Sequence, residues 1–461
     1  MKKILTYLAI PALMLGSACN SFLGDINNSP NSPTEVNNAL LLSSAQLATF
    51  SVYTGQLARL TSVLTQHSAG TDFQFVDIAN YTILEGDNVN EWENIYSKCV
   101  VNENLIITQA GDENPYYRGI AKVMKAMALG VATDLWGDVP NREAAQGLEG
   151  ADFYNPGYDV QEMVLQDIQT MLDEAIADLS KDAASNQFLP ATDDFIHGGN
   201  PDAWIKTARI LKARFFLRQS ERDGEAATKA LAQLENAGLS GVEDDANAIF
   251  GQNGNEWNLW YSFQNERGGY MQMGEHFIEL LKSIDDPRLA AYATQTSGGE
   301  YVGTPLGSVD NSTSAVGTYF SSPAAPSPMV TYVEAKFIEA EAQFLENNLE
   351  AAATAHNEAI KEHIAQVTGE DAPQAYVDAQ ASETAATITR EKIMTHKYVA
   401  MFTQIESYND WRRTGIPALT ANPQGVVSGI PVRLPTPSVE RINNTNAKVV
   451  SDIMEPVWWD Q

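Results

Sequence analysis

The stretch Tyr116–Gln146, YYRGIAKVMKAMALGVATDLWGDVPNREAAQ, decides the fold class. Ile120, Val123, Met124, Met127, Val131 and Leu135 recur at steps of three and four, which places them on one face of a helix. Ala121, Ala126, Ala128, Gly130 and Ala132 lie among them, and side chains this small let a second helix approach closely. Gly137 and Pro140, in Trp136-Gly137-Asp138-Val139-Pro140, end the helix. The next helix is expected over Tyr158–Ser180, with Asp159 and Glu162 at the spacing of a capping box. Two such helices form an antiparallel pair, and helical pairs recur along the chain.

Working outward, Ala39–Ala69 reads as helical, with Leu40, Leu41, Leu47, Leu57, Leu60 and Leu64 available for burial. Gly70–Asp87 reads as a loop carrying Phe73, Phe75 and Tyr81, and Asn90–Ala110 as a helix carrying Trp92, Tyr96 and Cys99. Asn200-Pro201 is a helix start, with Asn as cap and Pro in the first turn of Pro201–Arg222. Gly224 separates that helix from Glu225–Ala237. Gly251–Tyr270 shows no helical period and is dense in aromatic residues, Gly274–Ile284 is helical, and Ser297–Pro328 is a long loop rich in Gly, Pro, Ser and Thr. A loop of that length inside a compact domain is usually functional. In Met329–Gln366, Ala340, Ala352 and Ala359 stand at the spacing of the small contact residues of a tetratricopeptide repeat. Gln343 and His356 occupy positions where that repeat carries rings, so the unit is TPR-like. Glu383–Ser407 is a further helix, and the tail from Asn409 is irregular. The expected fold is mainly α, with TPR-like helical pairs on one side and long irregular loops forming a ligand-binding face.

The chain has 461 residues and a formal net charge of −30. Such a surface repels phosphate backbones and anionic membranes, so nucleic acid is not an expected partner. The first residues, MKKILTYLAIPALMLGSACN, combine a basic start, an apolar run too short to span a bilayer, and small residues before Cys19. They resemble the lipobox of bacterial lipoproteins, in which Cys19 is lipidated; the alternative is an ordinary secretory signal with an incidental cysteine. Residues 1–18 are accordingly expected to be a signal peptide, 19–38 a lipidated tether rich in Asn, Ser and Pro, and 39–461 the folded domain. Cys99 is the only other cysteine and reads as a small buried hydrophobe.

Motifs for catalysis and metal binding are missing. There is no His pair at metalloprotease spacing, no Cys cluster for zinc, no phosphate-binding Gly loop and no Ser nucleophile elbow. No metal or cofactor is expected. Carboxylate pairs such as Asp134 with Asp138, Asp193 with Asp194, and Glu243 with Asp244 and Asp245 read as solvated or helix-end residues rather than as a glycosidase pair or a calcium loop. What stands out is rings in loops. Trp257, Trp260, Tyr261 and Phe263 are the densest group, Tyr301, Tyr319 and Phe320 a second, and Phe73 with Phe75 a third. Sugar rings present apolar C–H faces that stack on such side chains while polar neighbours bond the hydroxyls. The competing reading is that these rings anchor loops to the core.

Several motifs, in order, resemble the RagB/SusD family of Bacteroidetes outer-membrane lipoproteins, in its SusD-like subgroup. They are NEWENIY (90–96), DLWGDVPNREA (134–144), PGYDVQEMVLQDI with LDEAI (156–176), DPRL (286–289), the TPR-like pair, YNDWRRTGIPAL (408–419), IPVRLPTPSVERINN (430–444) and VWWD (457–460). The resemblance implies a mostly helical fold, a lipid anchor and display at the cell surface. It also implies capture of an oligosaccharide, or in some members an oligopeptide, without catalysis, and delivery to a partner SusC-type TonB-dependent transporter. Ligand residues vary across the family, so the aromatic candidates rest on the residue reading alone.

Overall fold

In the computed structural model, which describes residues 36–461, helices are laid side by side and a loop-rich segment is inserted between two of them. The expected signal peptide, most of the expected tether and Cys19 lie outside the described residues. The chain begins with α1 (Asn38–Thr54) and α2 (Gln56–Leu64), then β1 (Ser68–Gly70) and the short α3 (Phe73–Ala79). Next come α4 (Val89–Glu93) and α5 (Val101–Ala110), joined through a π-helical stretch, Asn94–Val100, and then α6 (Pro115–Trp136) and α7 (Gln161–Leu179). α8 (Pro201–Arg218) and α9 (Ala226–Glu235) make the next pair. The inserted segment contains β2 (Ala246–Ala248), α10 (Leu259–Glu266), β3 (Met271–Met273), α11 (Glu275–Ser283), α12 (Leu289–Tyr292) and β4 (Ser327–Val330). The helical array then resumes with α13 (Tyr332–Leu345), α14 (Leu349–Thr368), α15 (Gln374–Gln380), α16 (Arg390–Ala400), α17 (Glu406–Thr414) and α18 (Ser438–Asn443). The expected mainly α fold with TPR-like pairs is what forms.

α6 is the central helix, and all six of its apolar stripe residues are buried. Its glycines mark helix crossings. A Cβ on Gly119 would stand 2.7 Å from Leu179 of α7, and one on Gly130 would stand 2.3 Å from the Phe215 ring of α8. α7 begins later than expected, and its start is built differently. Asp138 Oδ1 accepts from the Gln161 amide at 2.9 Å, while Asp159 turns back to accept from the amides of Asn141 and Arg142. The pairing of Val139 with Asp159 draws the two chain segments together, which brings the more distant aspartate to the helix end. α8 starts as expected, with Asn200 Oδ1 accepting from the Asp202 and Ala203 amides.

α13 packs on α9, so the array closes over the insertion along a seam of small residues that includes Ala213, Ala227, Ala230 and Ala342. Ala340, Ala352 and Ala359 are fully buried between α13 and α14, as the repeat spacing requires. Four expectations are corrected. Gly70–Asp87 contains the last residue of β1 and helix α3, and Gly251–Tyr270 contains α10, because helices this short need no visible period. Asn409 lies inside α17 rather than in an irregular tail. Leu40 and Leu47, on α1, are 63% and 59% exposed while their neighbours Leu41 and Leu42 are buried.

The scattered motifs meet in space. Trp92 lies 4.6 Å from Tyr96 and 5.3 Å from Trp136, ring centre to ring centre. Trp92 Nε1 and the Tyr158 hydroxyl both donate to the Glu440 carboxylate, at 3.1 and 3.0 Å. Trp136 Nε1 donates to the Pro435 carbonyl. These residues join the two ends of the chain around the central helix.

A second convergence is ionic. Arg214 of α8 is held by both oxygens of Glu334 of α13, at 2.7 and 2.6 Å. Arg218 bridges Glu406 and Asp134. Arg413 pairs with both oxygens of Glu341, each at 2.6 Å, and with Asp410 at 3.0 Å, while Lys397 reaches Asp410 at 2.7 Å. All of these groups are buried. The expectation that Asp134, Asp194, Asp244 and Asp245 are solvated is therefore corrected. Asp134 belongs to this network, Asp194 accepts from Trp204 Nε1 and Gln46 Nε2, Asp244 pairs with Lys206, and Asp245 accepts from the Tyr332 amide.

Removing one partner of such a network leaves an uncompensated buried charge. Glu341→Ala is expected to lower the unfolding free energy by about 3–5 kcal/mol, measured by urea unfolding. Glu103 of α5 is the opposite case. It is fully buried, neither carboxylate oxygen has a hydrogen-bond partner among the described residues, and burial, opposed by Lys125, pushes it from 4.5 up to about 8. A carboxyl raised by folding favours the native state at low pH and loses that contribution as pH rises through the folded value. Glu103→Gln should therefore match wild type in melting temperature near pH 4. Its advantage should grow up to about pH 8 and level off above that.

Candidate functional site

The inserted segment and the N-terminal helices enclose a cavity of about 620 Å³. Its floor is the end of α2, with Val63 and Gln66, and strand β1. One wall is α11, presenting Glu275, His276, Glu279 and Ser283, and the opposite rim is the segment from Thr304 to Ser308. Ala79 and Tyr81, at the end of α3, complete it. The long loop flagged in the sequence therefore supplies a wall. It is fastened there by backbone bonds on both sides of Thr304, whose amide donates to Met273 O at 2.8 Å and whose carbonyl accepts from Glu275 at 3.0 Å. Gly307 adopts φ +77, and a Cβ there would stand 2.9 Å from Asn422, so a residue without a side chain is required at the rim. On the floor, Gln66 Nε2 donates to Thr420 O, and the Tyr81 hydroxyl accepts from the Asn422 amide.

The chemistry of the cavity is one-sided. Its charged lining groups are Glu275 and Glu279, and it contains no Lys or Arg. His276 Nε2 is buried without a hydrogen-bond partner among the described residues, and burial holds the imidazole below its usual pKa. The imidazole is therefore neutral, with Nε2 closed off from solvent. Among the described residues no cluster of His, Cys, Asp and Glu has metal-binding geometry.

α3 leads from this cavity to a pair of rings. Phe73 stacks on Tyr270 with centres 4.6 Å apart and planes inclined by 21°. Phe73 is 64% exposed and sits at φ +44, where a bulky residue is strained. Tyr270 directly precedes β3, which pairs with β1, and Gly274 at the cavity directly follows it. Gly70, the β1 residue paired with Met271 at the Tyr270 end of the ladder, also lines the cavity, so the ring pair stands beside that end of its floor.

The structure separates the other aromatic candidates. Phe75 and Phe263 touch at 5.1 Å, and Tyr270 lies 6.2 Å from Phe263, so the first and third groups of the sequence meet. The buried Arg59 guanidinium, which burial lowers to about 10, covers the Phe263 ring at 4.6 Å. Phe75 and Phe263 are 0% and 5% exposed and form the base beneath the Phe73–Tyr270 pair. Trp260 and Phe320 are also buried, both against Phe402. As ligand contacts, Phe75, Trp260, Phe263 and Phe320 are corrected to core residues, since a fully packed ring has no free face. Trp257 and Tyr261 keep partial exposure at the start of α10, in an edge-to-face pair 5.2 Å apart. Tyr301 and Tyr319 are half-buried; Tyr319 packs on Phe320, away from the Phe73–Tyr270 pair. Sequence reasoning missed Gln66, His276 and the stacking role of Tyr270. The only signal for them was their proximity to short strands that have no pattern of their own.

Among the described residues no helix is long and apolar enough to cross a membrane. Comparison with curated proteins finds no match. The fold is that of solved SusD-type proteins. A SusD/RagB family protein from Bacteroides thetaiotaomicron superposes with a TM-score of 0.77 at 24% identity, covering 92% of this chain and 99% of the other. A chitin-binding SusD homolog from Flavobacterium johnsoniae gives 0.78 at 18% identity, covering 91% and 98%. A SusD homolog from Bacteroides fragilis gives 0.72 at 21% identity, covering 92% and 100%. Residues 30–437 match the model of the SusD-like family described as starch-binding and associating with the outer membrane. The chain belongs to this SusD-like family.

Proposed function

We propose that the protein captures a neutral oligosaccharide by laying it across Phe73 and Tyr270 and into the cavity beside His276. The observation that carries this reading is Phe73. A large ring is held in water, on strained backbone, stacked so that one face remains open, at the lip of a cavity. Folding alone gives no reason for that cost, and strain of this kind concentrates at ligand sites. The open face suits the C–H face of a sugar, and the Glu275 and Ser283 side chains of the α11 wall suit its hydroxyls. Glu275 and Glu279, in a chain of net charge −30, disfavour anionic glycans. Trp257 and Tyr261 form a separate, partly exposed ring pair at the start of α10.

The reading is binding without catalysis. Glu275 and Glu279 stand one turn apart on the same wall, and Glu279 is engaged by Lys282 at 2.8 Å. Glycoside hydrolysis needs two carboxylates flanking the bond to be cleaved. Family membership supports the remaining steps. The protein is tethered to the outer membrane through Cys19, displayed at the surface, and passes its ligand to a SusC-type TonB-dependent transporter. The chitin-binding relative with the same fold supports a glycan over an oligopeptide.

Titration calorimetry with maltohexaose, chitohexaose, hexagalacturonate and a casein peptide digest tests the ligand class. Heat with a neutral hexaose is expected, and heat with peptides alone would replace the glycan by an oligopeptide. Phe73→Ala is expected to weaken the neutral hexaose about tenfold, the worth of one well-placed ring contact, with the melting temperature unchanged. Trp260→Ala should instead destabilise the fold by about 3–5 kcal/mol, read by urea unfolding, because it empties a packed core position.

A further inference from the structure

A second cavity, of about 340 Å³, lies where the Gly137-Asp138 turn, the start of α7 and the segment around Trp458 meet. It shares no lining residue with the first. It is built from family motifs that the capture site leaves unused.

Arg433 forms its deepest polar wall. The side chain is only 6% exposed, and its Nη2 donates to the Trp136 carbonyl. Its Nη1 makes no hydrogen bond; the nearest carboxylate, Glu455, stands 3.7 Å away. This donor opens onto the cavity, where an acceptor on a ligand can replace the water that reaches it. Across the cavity, Lys448 pairs with Asp138, and Glu162 adds a further carboxylate. The half-buried Trp458 ring also lines the space, with Arg222 stacked 5.6 Å from its centre.

This mixture selects a ligand class. An anion would meet Asp138, Glu162 and Glu455, and an ammonium group would meet Arg433 and Lys448. A neutral polyol meets donors and acceptors set side by side, the arrangement that adjacent hydroxyls satisfy, and an indole for its C–H face. We propose that the cavity framed by Arg433, Lys448, Glu455 and Trp458 is a second site for a neutral sugar ring, independent of the Phe73 site. The choice of sugar rests on the glycan reading above, whereas the cavity and its open Arg433 donor do not. A protein with two sites holds a long glycan at two points, which raises the effective concentration of each segment at its own site.

The test is fluorine NMR of the full-length protein labelled with 5-fluorotryptophan, with the Trp458 signal assigned by Trp458→Phe. Maltohexaose and chitohexaose are titrated into wild type, Phe73→Ala and Glu455→Ala. The Trp458 signal is expected to move saturably with at least one hexaose, and equally in Phe73→Ala. In Glu455→Ala the midpoint should rise about tenfold, the loss of one charged hydrogen bond. A Trp458 signal that stays still with both sugars, or moves only while Phe73 is present, overturns the second site. Phe73-dependent heat in the calorimetric titration reports the first site separately, so either site can fail alone.

Discussion

The buried ion network between α6, α8, α13, α16 and α17 is the constraint on which the rest of the structure depends. Asp134 comes from the central helix, Arg214 and Arg218 from the next pair, Glu334 and Glu341 from the repeat-like pair, and Glu406, Asp410 and Arg413 from α17. Burial by itself would push Glu406, Glu341 and Asp134 up. The guanidiniums of Arg218 and Arg214 nevertheless hold Glu406 below its ordinary value, and Arg413 does the same for Glu341. Asp134 is less well compensated and is pushed up to about 6. Such a network contributes little net stability over an apolar core. Its effect is on geometry, because a helix that slides or rotates leaves a charge without its partner. The α8–α13 contact mixes Ala213 and Ala342 with Leu217 and Ile338, and the bidentate Arg214–Glu334 pair fixes its register.

That registration lets the chain leave the array after α9, build the loop-rich insertion and return at α13. The insertion has little repetitive structure of its own. Its strands are three or four residues long and pair with distant segments, β3 with β1 and β4 with β2. The cavity lies between the insertion and the first helices. Its position therefore depends on the scaffold that fixes both. Elements with few buried contacts can differ among relatives while the array behind them stays the same.

The helical array was legible because its signals are periodic. α6, the α8 cap at Asn200 and the alanine spacing of α13 and α14 all follow from local rules. The α7 cap was misread because the competing acceptor, Asp138, lies across a turn rather than in the adjacent sequence. Composition drew attention to the aromatic groups but could not rank their members. Trp257 and Trp260 are three residues apart, yet one is half-exposed and the other is packed against Phe402. Trp257 precedes Asn258, the residue that caps α10, whereas Trp260 lies in the first turn of the helix and faces what that helix packs on.

The sequence by itself determined the helical class, the pairing of neighbouring helices, the acidic surface and the family motifs, since each depends on residues close together in the chain or on composition. Tertiary structure alone decided which rings are surface and which are core. It also gathered Trp92, Trp136, Tyr158 and Glu440 at one point and placed the cavity at the Phe73–Tyr270 shelf. Those outcomes arise from contacts between residues far apart in the chain, and no local pattern encodes the packing that brings them together.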